Sequence, residues 1–366
     1  MEITQMTTIV QLDVPFRQHS KAARQAALLK TFAQTRRTQE DVFWLKENAE
    51  MLNILECTGA DVAPAALAPF RGFYDDIEAR MEFFPQYYRF LLSLCLDLED
   101  LGMAGAKGAA LTEWVAAEGL ADAELSDLQR AEARRLCARR GIEALPEDRG
   151  LDARLRAFAA RSRTFAMPNK KAAYELTHIV FYLSEYGRKD PQLDSDARRS
   201  LMFAGTLAFL DFNADLLAEI CLAMRFAGMD APDVWEIWLM QQIRSFSLEA
   251  GDAMADDYHE YLMLNWFMTK AGQGGFGDHV PEGRVTFVRS RPASAPLREL
   301  SQCIYAMGRA RSPDWEIMRD EVAAQVSDEA QAALIAAEAS TAEFGAFFEG
   351  FARTGLRGRI AAGGAS

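Results

Sequence analysis

The stretch that decides the reading of this chain is AYELTHIVFYLSEYG, residues 173–187. Ile179, Val180 and Leu183 supply an apolar side at helical spacing. Glu175 and His178 lie three residues apart and face one way, with Tyr182, Glu185 and Tyr186 along the following turns. Gly187 stops the helix, because a residue without Cβ tolerates the left-handed conformation that closes helices.

Outward from this helix, the text continues as helix after helix. Ala, Leu, Glu, Arg and Met dominate while Val, Ile and Thr are sparse, a composition that favours α over β. Glycines recur behind the apolar stretches at positions 59, 102, 141, 187, 228, 272 and 308, at intervals of 43, 39, 46, 41, 44 and 36 residues. Each interval holds two amphipathic stretches, the length of a helical hairpin with its turns. The expectation is an all-α array of antiparallel hairpins, arranged as an α/α toroid or a solenoid. A single helical domain then covers residues 19–353, with a subdomain boundary near 144–150 (ALPEDRG), an N-terminal arm over 1–18 and a flexible tail over 354–366. Residues 272–297, rich in Gly and Pro around Val285-Thr-Phe-Val288, form an irregular or β-like insertion that reads as a mobile flap. The aromatic group Phe83, Phe84, Tyr87, Tyr88 and Phe90 reads as core, and the charged, alanine-rich stretch 105–165 as solvent-facing helices.

A hydrophobic fraction of 50% over 366 residues supports a large core. The net charge of −13 argues against nucleic-acid binding, which needs excess Lys and Arg. No apolar run reaches the ~18 to 20 residues of a membrane span, and the first residues lack the basic-then-apolar pattern of a signal peptide. The five cysteines, Cys57, Cys95, Cys137, Cys221 and Cys303, sit in apolar helical contexts without C-x-x-C spacing, so they read as buried free thiols in a reducing, cytoplasmic setting.

Three constellations carry candidate chemistry. Glu175 and His178 form the first. Asp211, Asp215 and Glu219 stand at four-residue steps and make an acidic ladder if one helix runs through them. Asp256, Tyr258 and His259 form the third, repeating the carboxylate-x-x-His spacing. Together they suggest a polar pocket in which His178, His259, Glu175 and Asp215 do acid–base work, and Tyr182, Asp211, Tyr258 and Glu219 bind a small, partly apolar ligand. Glu175, His178, Asp256 and His259 could instead hold iron, manganese or zinc, although a di-iron bundle uses Glu where Asp256 stands. The contrasting class is a helical-repeat scaffold for a protein partner. No cofactor is specified. Gly272-Gln-Gly-Gly-Phe-Gly277 lacks the Lys-Ser/Thr of a phosphate loop, no G-x-S-x-G or H-E-x-x-H occurs, and no D-D-x-x-D or D-x-D-D run supports diphosphate or cyclase chemistry.

Tyr174 to Gly187, Asp211 to Glu219 and Tyr258 to Leu262 resemble, in that order, a Y-x-L-T-H-x-x-F-Y-L-T-[DE]-[FYW]-G run, a D-x-D-L-L-x-E helix and a Y-H-x-x-L segment of a bacterial protein family of unknown function. The middle segment departs, with Asn213-Ala214-Asp215 in place of a tighter acidic spacing. The resemblance implies that Glu175, His178, Asp215 and His259 act as a unit. It carries no activity.

Overall fold

The computed structural model describes residues 20–252, 256–291 and 294–354. The arm expected over 1–18 lies outside them, as does all of the expected tail but its first residue. The protein is all-α. Helix α1 (Lys21–Lys30) runs into a π-helical turn, Thr31–Thr35, ahead of α2 (Val42–Cys57). Short helices α3 (Pro64–Leu67), α4 (Arg71–Asp75) and α5 (Ile77–Phe83) lead to α6 (Tyr88–Asp100), α7 (Lys107–Ala117), α8 (Asp127–Ala138) and α9 (Leu151–Ala159). A single turn, α10 (Ser162–Phe165), precedes α11 (Lys170–Leu183), α12 (Ser195–Leu210), α13 (Ala214–Phe226) and α14 (Asp233–Ile243). Strands β1 (Phe246–Ala250) and β2 (Val285–Arg289) flank α15 (Tyr258–Lys270) in the chain. The fold ends with α16 (Pro296–Ala306), α17 (Trp315–Ala323), α18 (Asp328–Ala339) and α19 (Phe344–Ala352).

Local chemistry sets the boundaries. Ser20, Asp41, Ser126, Asn169, Asp194 and Asn213 each accept a backbone N–H of the helix they begin, satisfying donors that have no partner inside it. At the other end, α2, α6, α8, α11, α13 and α15 are each followed by one of the recurring glycines, and all six have positive φ. At Gly59, Gly102, Gly141, Gly228 and Gly272 the same pair of hydrogen bonds closes the helix, one from the glycine N–H and one from the next residue.

These six helices are also neighbours in space. α2 packs on α6, α6 on α8, α8 on α11, α11 on α13, α13 on α15, and α15 returns to α2. Successive members point the same way. Tyr174 meets Asp215 near the starts of α11 and α13, and Phe181 meets Phe226 near their ends. α13 is the most enclosed, with Leu217, Ile220, Cys221 and Leu222 all at 0% exposure. Gly205 of α12 passes so close beneath Trp235 that a Cβ there would meet the ring at 2.3 Å.

Several expectations change here. Phe83 and Phe84 pack on each other at the surface, Phe83 being 77% exposed, and only Tyr88 of that aromatic group is buried. The stretch 105–165 is not a solvated margin, because Ala131, Ala133, Leu136 and Cys137 bury α8 between α6 and α11. Small side chains permit that close approach. Val285–Arg289 is a strand as expected, but its partner is Phe246–Ala250, paired antiparallel with Phe246 opposite Arg289. β1 carries only a weak strand signal, since its FSLEA lacks a run of β-branched residues. All five cysteines are free and buried. Among the described residues no helix is long and apolar enough to cross a membrane.

Candidate functional site

The amino ends of α11, α13, α15 and α16 open on one cleft of about 560 Å³. Lys170 and Tyr174 enter it from α11, and Asp211, Phe212, Asn213 and Asp215 from the α12–α13 junction. Asp256, Asp257, His259 and Glu260 come from the start of α15, and Arg289, Arg291, Ser294, Ala295 and Arg298 from the segment joining β2 to α16. Helix amino ends carry unpaired N–H groups and partial positive charge, which explains why carboxylates collect in the first turns here.

Asp215 and His259 form the floor. The Tyr174 hydroxyl donates to Asp215 Oδ2 at 2.6 Å, and His259 Nε2 stands 3.7 Å from the same oxygen. His259 Nδ1 lies 3.3 Å from Glu50 Oε2 of α2, and Nε2 lies 3.8 Å from Glu219 Oε1. Three carboxylates thus surround one imidazole. Burial opposes a charge on this ring, but the hydrogen bond and charge of Glu50, with the charges of Glu219 and Asp215, outweigh it and push His259 from 6.5 up to about 9. At neutral pH it is an imidazolium.

Behind the floor, Glu219 is almost fully enclosed. Thr177 Oγ1 donates to its Oε2 at 2.6 Å, and His178 Nδ1 lies 3.7 Å from the same atom. Burial pushes this carboxyl above its ordinary value, against the pull of His178 and His259. His178 Nδ1 is also 2.8 Å from the Tyr174 carbonyl, a contact that requires the proton on Nδ1. Burial and the neighbouring Asp215 charge raise the Tyr174 phenol, so it stays a donor. The cleft therefore presents a carboxylate oriented by a phenol, backed by an imidazolium that can deliver a proton.

The family model for a domain of unknown function, DUF6902, matches residues 6–354. The chain belongs to the DUF6902 family. No curated protein and no solved structure gives a significant match.

In this DUF6902 chain Asp211, Asp215, Asp256 and His259 line the cleft, and Glu219 and His178 lie behind it. The ladder Asp211–Asp215–Glu219 is not one helix. α12 ends at Leu210, Phe212 takes a positive φ of 50°, and α13 restarts at Ala214 with Asn213 as its cap, so Asp211 leaves the helical register. Glu175 faces elsewhere, lining a separate hollow with Asp127, Arg154 and Ile179. Tyr182 is buried, its ring meeting His178 edge-on. Tyr258 packs against Phe32 and the Arg36 guanidinium. Asp256 accepts from Arg36 Nη2 at 2.7 Å and from the Phe287 N–H at 3.2 Å. Glu175, His178, Asp256 and His259 are thus dispersed, and among the described residues no three His, Cys, Asp or Glu side chains are grouped to hold a metal ion. His279 is exposed on its loop.

Sequence reasoning passed over the cations. Arg289, Arg291 and Arg298 fall in VRSRPASAPLR, which reads as a flap, although three arginines within ten residues of a strand end were a visible signal. Glu50 could not have been singled out, being 209 positions from His259 on an ordinary amphipathic helix.

Proposed function

We propose that this DUF6902 protein binds a small molecule in the cleft above Asp215 and His259 and transfers a proton to or from it. The observation that carries this reading is the placement of His259 among Glu50, Asp215 and Glu219 at the bottom of an open cleft. Clustered titratable groups of this kind recur at sites of acid–base chemistry. Asp215 is the base or the ligand anchor, Tyr174 orients it, and His259 supplies a proton or stabilises a developing negative charge. Glu219 and Thr177 hold the histidines in place from behind. The convergent polar lining favours a pocket over a protein-binding scaffold, which would present an apolar stripe.

The closed sequence of neighbours α2, α6, α8, α11, α13 and α15, each ended by its glycine, supports a toroidal hairpin repeat over a solenoid. The buried free thiols support a reducing, cytoplasmic setting.

The test is a fragment screen on the full chain read by NMR of histidine rings, with assignments from single His→Gln variants. The sequence has 4 histidines, which keeps the spectrum simple. Hits should move the His259 ring signals and leave those of His279 in place. A screen whose hits never move His259 sinks the reading.

A further inference from the structure

Most of the charge in the cleft is already matched. Lys170 Nζ is 2.7 Å from Asp211, and Arg36 holds Asp256. Arg289 Nη2 meets Glu260 at 2.8 Å, while Arg291 Nη2 bridges Glu260 at 2.8 Å and Asp257 at 2.6 Å. His259 faces Asp215. Every lining carboxylate therefore has a cation. The converse fails at one end, where the exposed Arg298 of α16 has no ion-pair partner among the described residues.

A second guanidinium lies along the same wall, already bonded to Gln242 and Glu260 through its terminal nitrogens. Arg289 is 93% buried by its 7% exposure, yet its Nε has no hydrogen-bond partner among the described residues. The first turn of α16 has no side-chain cap, but it adds little as a donor, because Pro296 carries no N–H and the Arg298 N–H is already bonded to the Ala295 carbonyl at 2.9 Å. The unmatched charge is positive, in a chain whose net charge of −13 otherwise repels anions. Local cations survive here by placement, not by composition.

Next to this wall lies a smaller slot of about 90 Å³, and Lys170 and Asp211 line both spaces. Phe165, Met167, Ala204, Ala208, Leu216 and Leu297 give the slot an apolar surface. Leu297 adjoins Arg298, so an anion site and an apolar slot meet at the start of α16.

We infer that the cleft takes a small organic oxyanion, its head on the Arg298 guanidinium and a short apolar chain in the slot beyond Lys170. This deepens the proposed small-molecule site and rests on it. A carboxylate and a phosphate monoester share the head-group chemistry, so the experiment includes both.

The test is isothermal titration of the full chain with propanoate, butanoate, butyl phosphate, inorganic phosphate, butanol and butylamine. Butanoate or butyl phosphate should bind, with the better of the two naming the head group, and butanol and butylamine should not. Inorganic phosphate should bind more weakly than butyl phosphate for want of the chain. Arg298→Ala should weaken anion binding by about tenfold or more, the loss of a charge-assisted contact. Met167→Asp should remove the gain from the apolar chain and leave the head-group contact. Binding of butylamine in preference to the anions, or anion binding that ignores Arg298→Ala, overturns the inference. If no probe binds but the fragment screen yields hits that move His259, the inference fails and the site stands; if nothing moves His259, both fall.

Discussion

The amino ends of α11, α13 and α15 and the carboxyl ends of α2, α6 and α8 are equally rich in charge, yet they use it in opposite ways. At the carboxyl ends the charges mate across neighbouring helices. Arg139 Nη1 meets the fully buried Asp97 at 2.7 Å, Arg140 meets Glu99 at 2.9 Å, and Arg188 meets Glu56 at 2.6 Å. Cations at helix carboxyl ends are electrostatically apt, and here they close the structure. At the amino ends the carboxylates are apt for the same reason, but they line a cleft and share partners. The difference teaches that one dipole rule can build a clamp or a site, depending on whether partners fill the space between them.

If the carboxyl-end pairs are clamps, breaking one should cost most. Arg139→Ala leaves Asp97 buried without its guanidinium, and the expected loss is about 3–5 kcal/mol in urea unfolding. Cleft ligands should still move His259 in the folded fraction. A loss below about 1 kcal/mol, the range of a surface pair, would erase the contrast.

A smaller loss is expected from Gly187→Ala, at the carboxyl end of α11. The backbone there has φ of 86°, and a Cβ would stand 2.5 Å from Phe226 Cδ1. Left-handed strain and the clash should together cost about 2 kcal/mol, read as a lower urea midpoint with unchanged m-value. Gly228→Ala, with open space around its Cβ, separates the two contributions because it should cost only the strain.

At the amino ends the signature is pH. His259 holds its proton more tightly folded than unfolded, so its contribution to stability is complete below about 6.5 and is lost as the pH rises through about 9. Urea midpoints of the parent should fall between those limits by more than those of His259→Gln. Parallel curves for the two proteins would show that the imidazolium is not held by the carboxylates. The smallest effect belongs to Lys170→Ala. Lys170 is the exposed partner of a half-buried Asp211, and its removal should change stability by less than about 0.5 kcal/mol in thermal unfolding.

Much of this contrast was legible in residue order. The glycines at 59, 102, 141, 187, 228 and 272 announce the ends of the six neighbouring helices, because positive φ is inexpensive for glycine alone. His259 and Asp215 were visible as titratable groups within apolar helices. Glu175 was misplaced because spacing of three residues constrains direction only to a broad arc, and the arc from Glu175 ends on the α9 side. The continuous acidic ladder failed on Phe212, whose left-handed turn no periodicity predicts.

By itself the sequence determined the helical class, the helix ends, the burial of the cysteines and the positions where charge would sit on each helix. These are local matters of propensity, capping and period. Tertiary structure decided which charges meet. Glu50 reaches His259 only because α15 packs back on α2, and Arg298 faces the cleft only because the β1–β2 pairing carries the chain into α16 beside α12. Long-range packing fixes such encounters, and no local pattern records them.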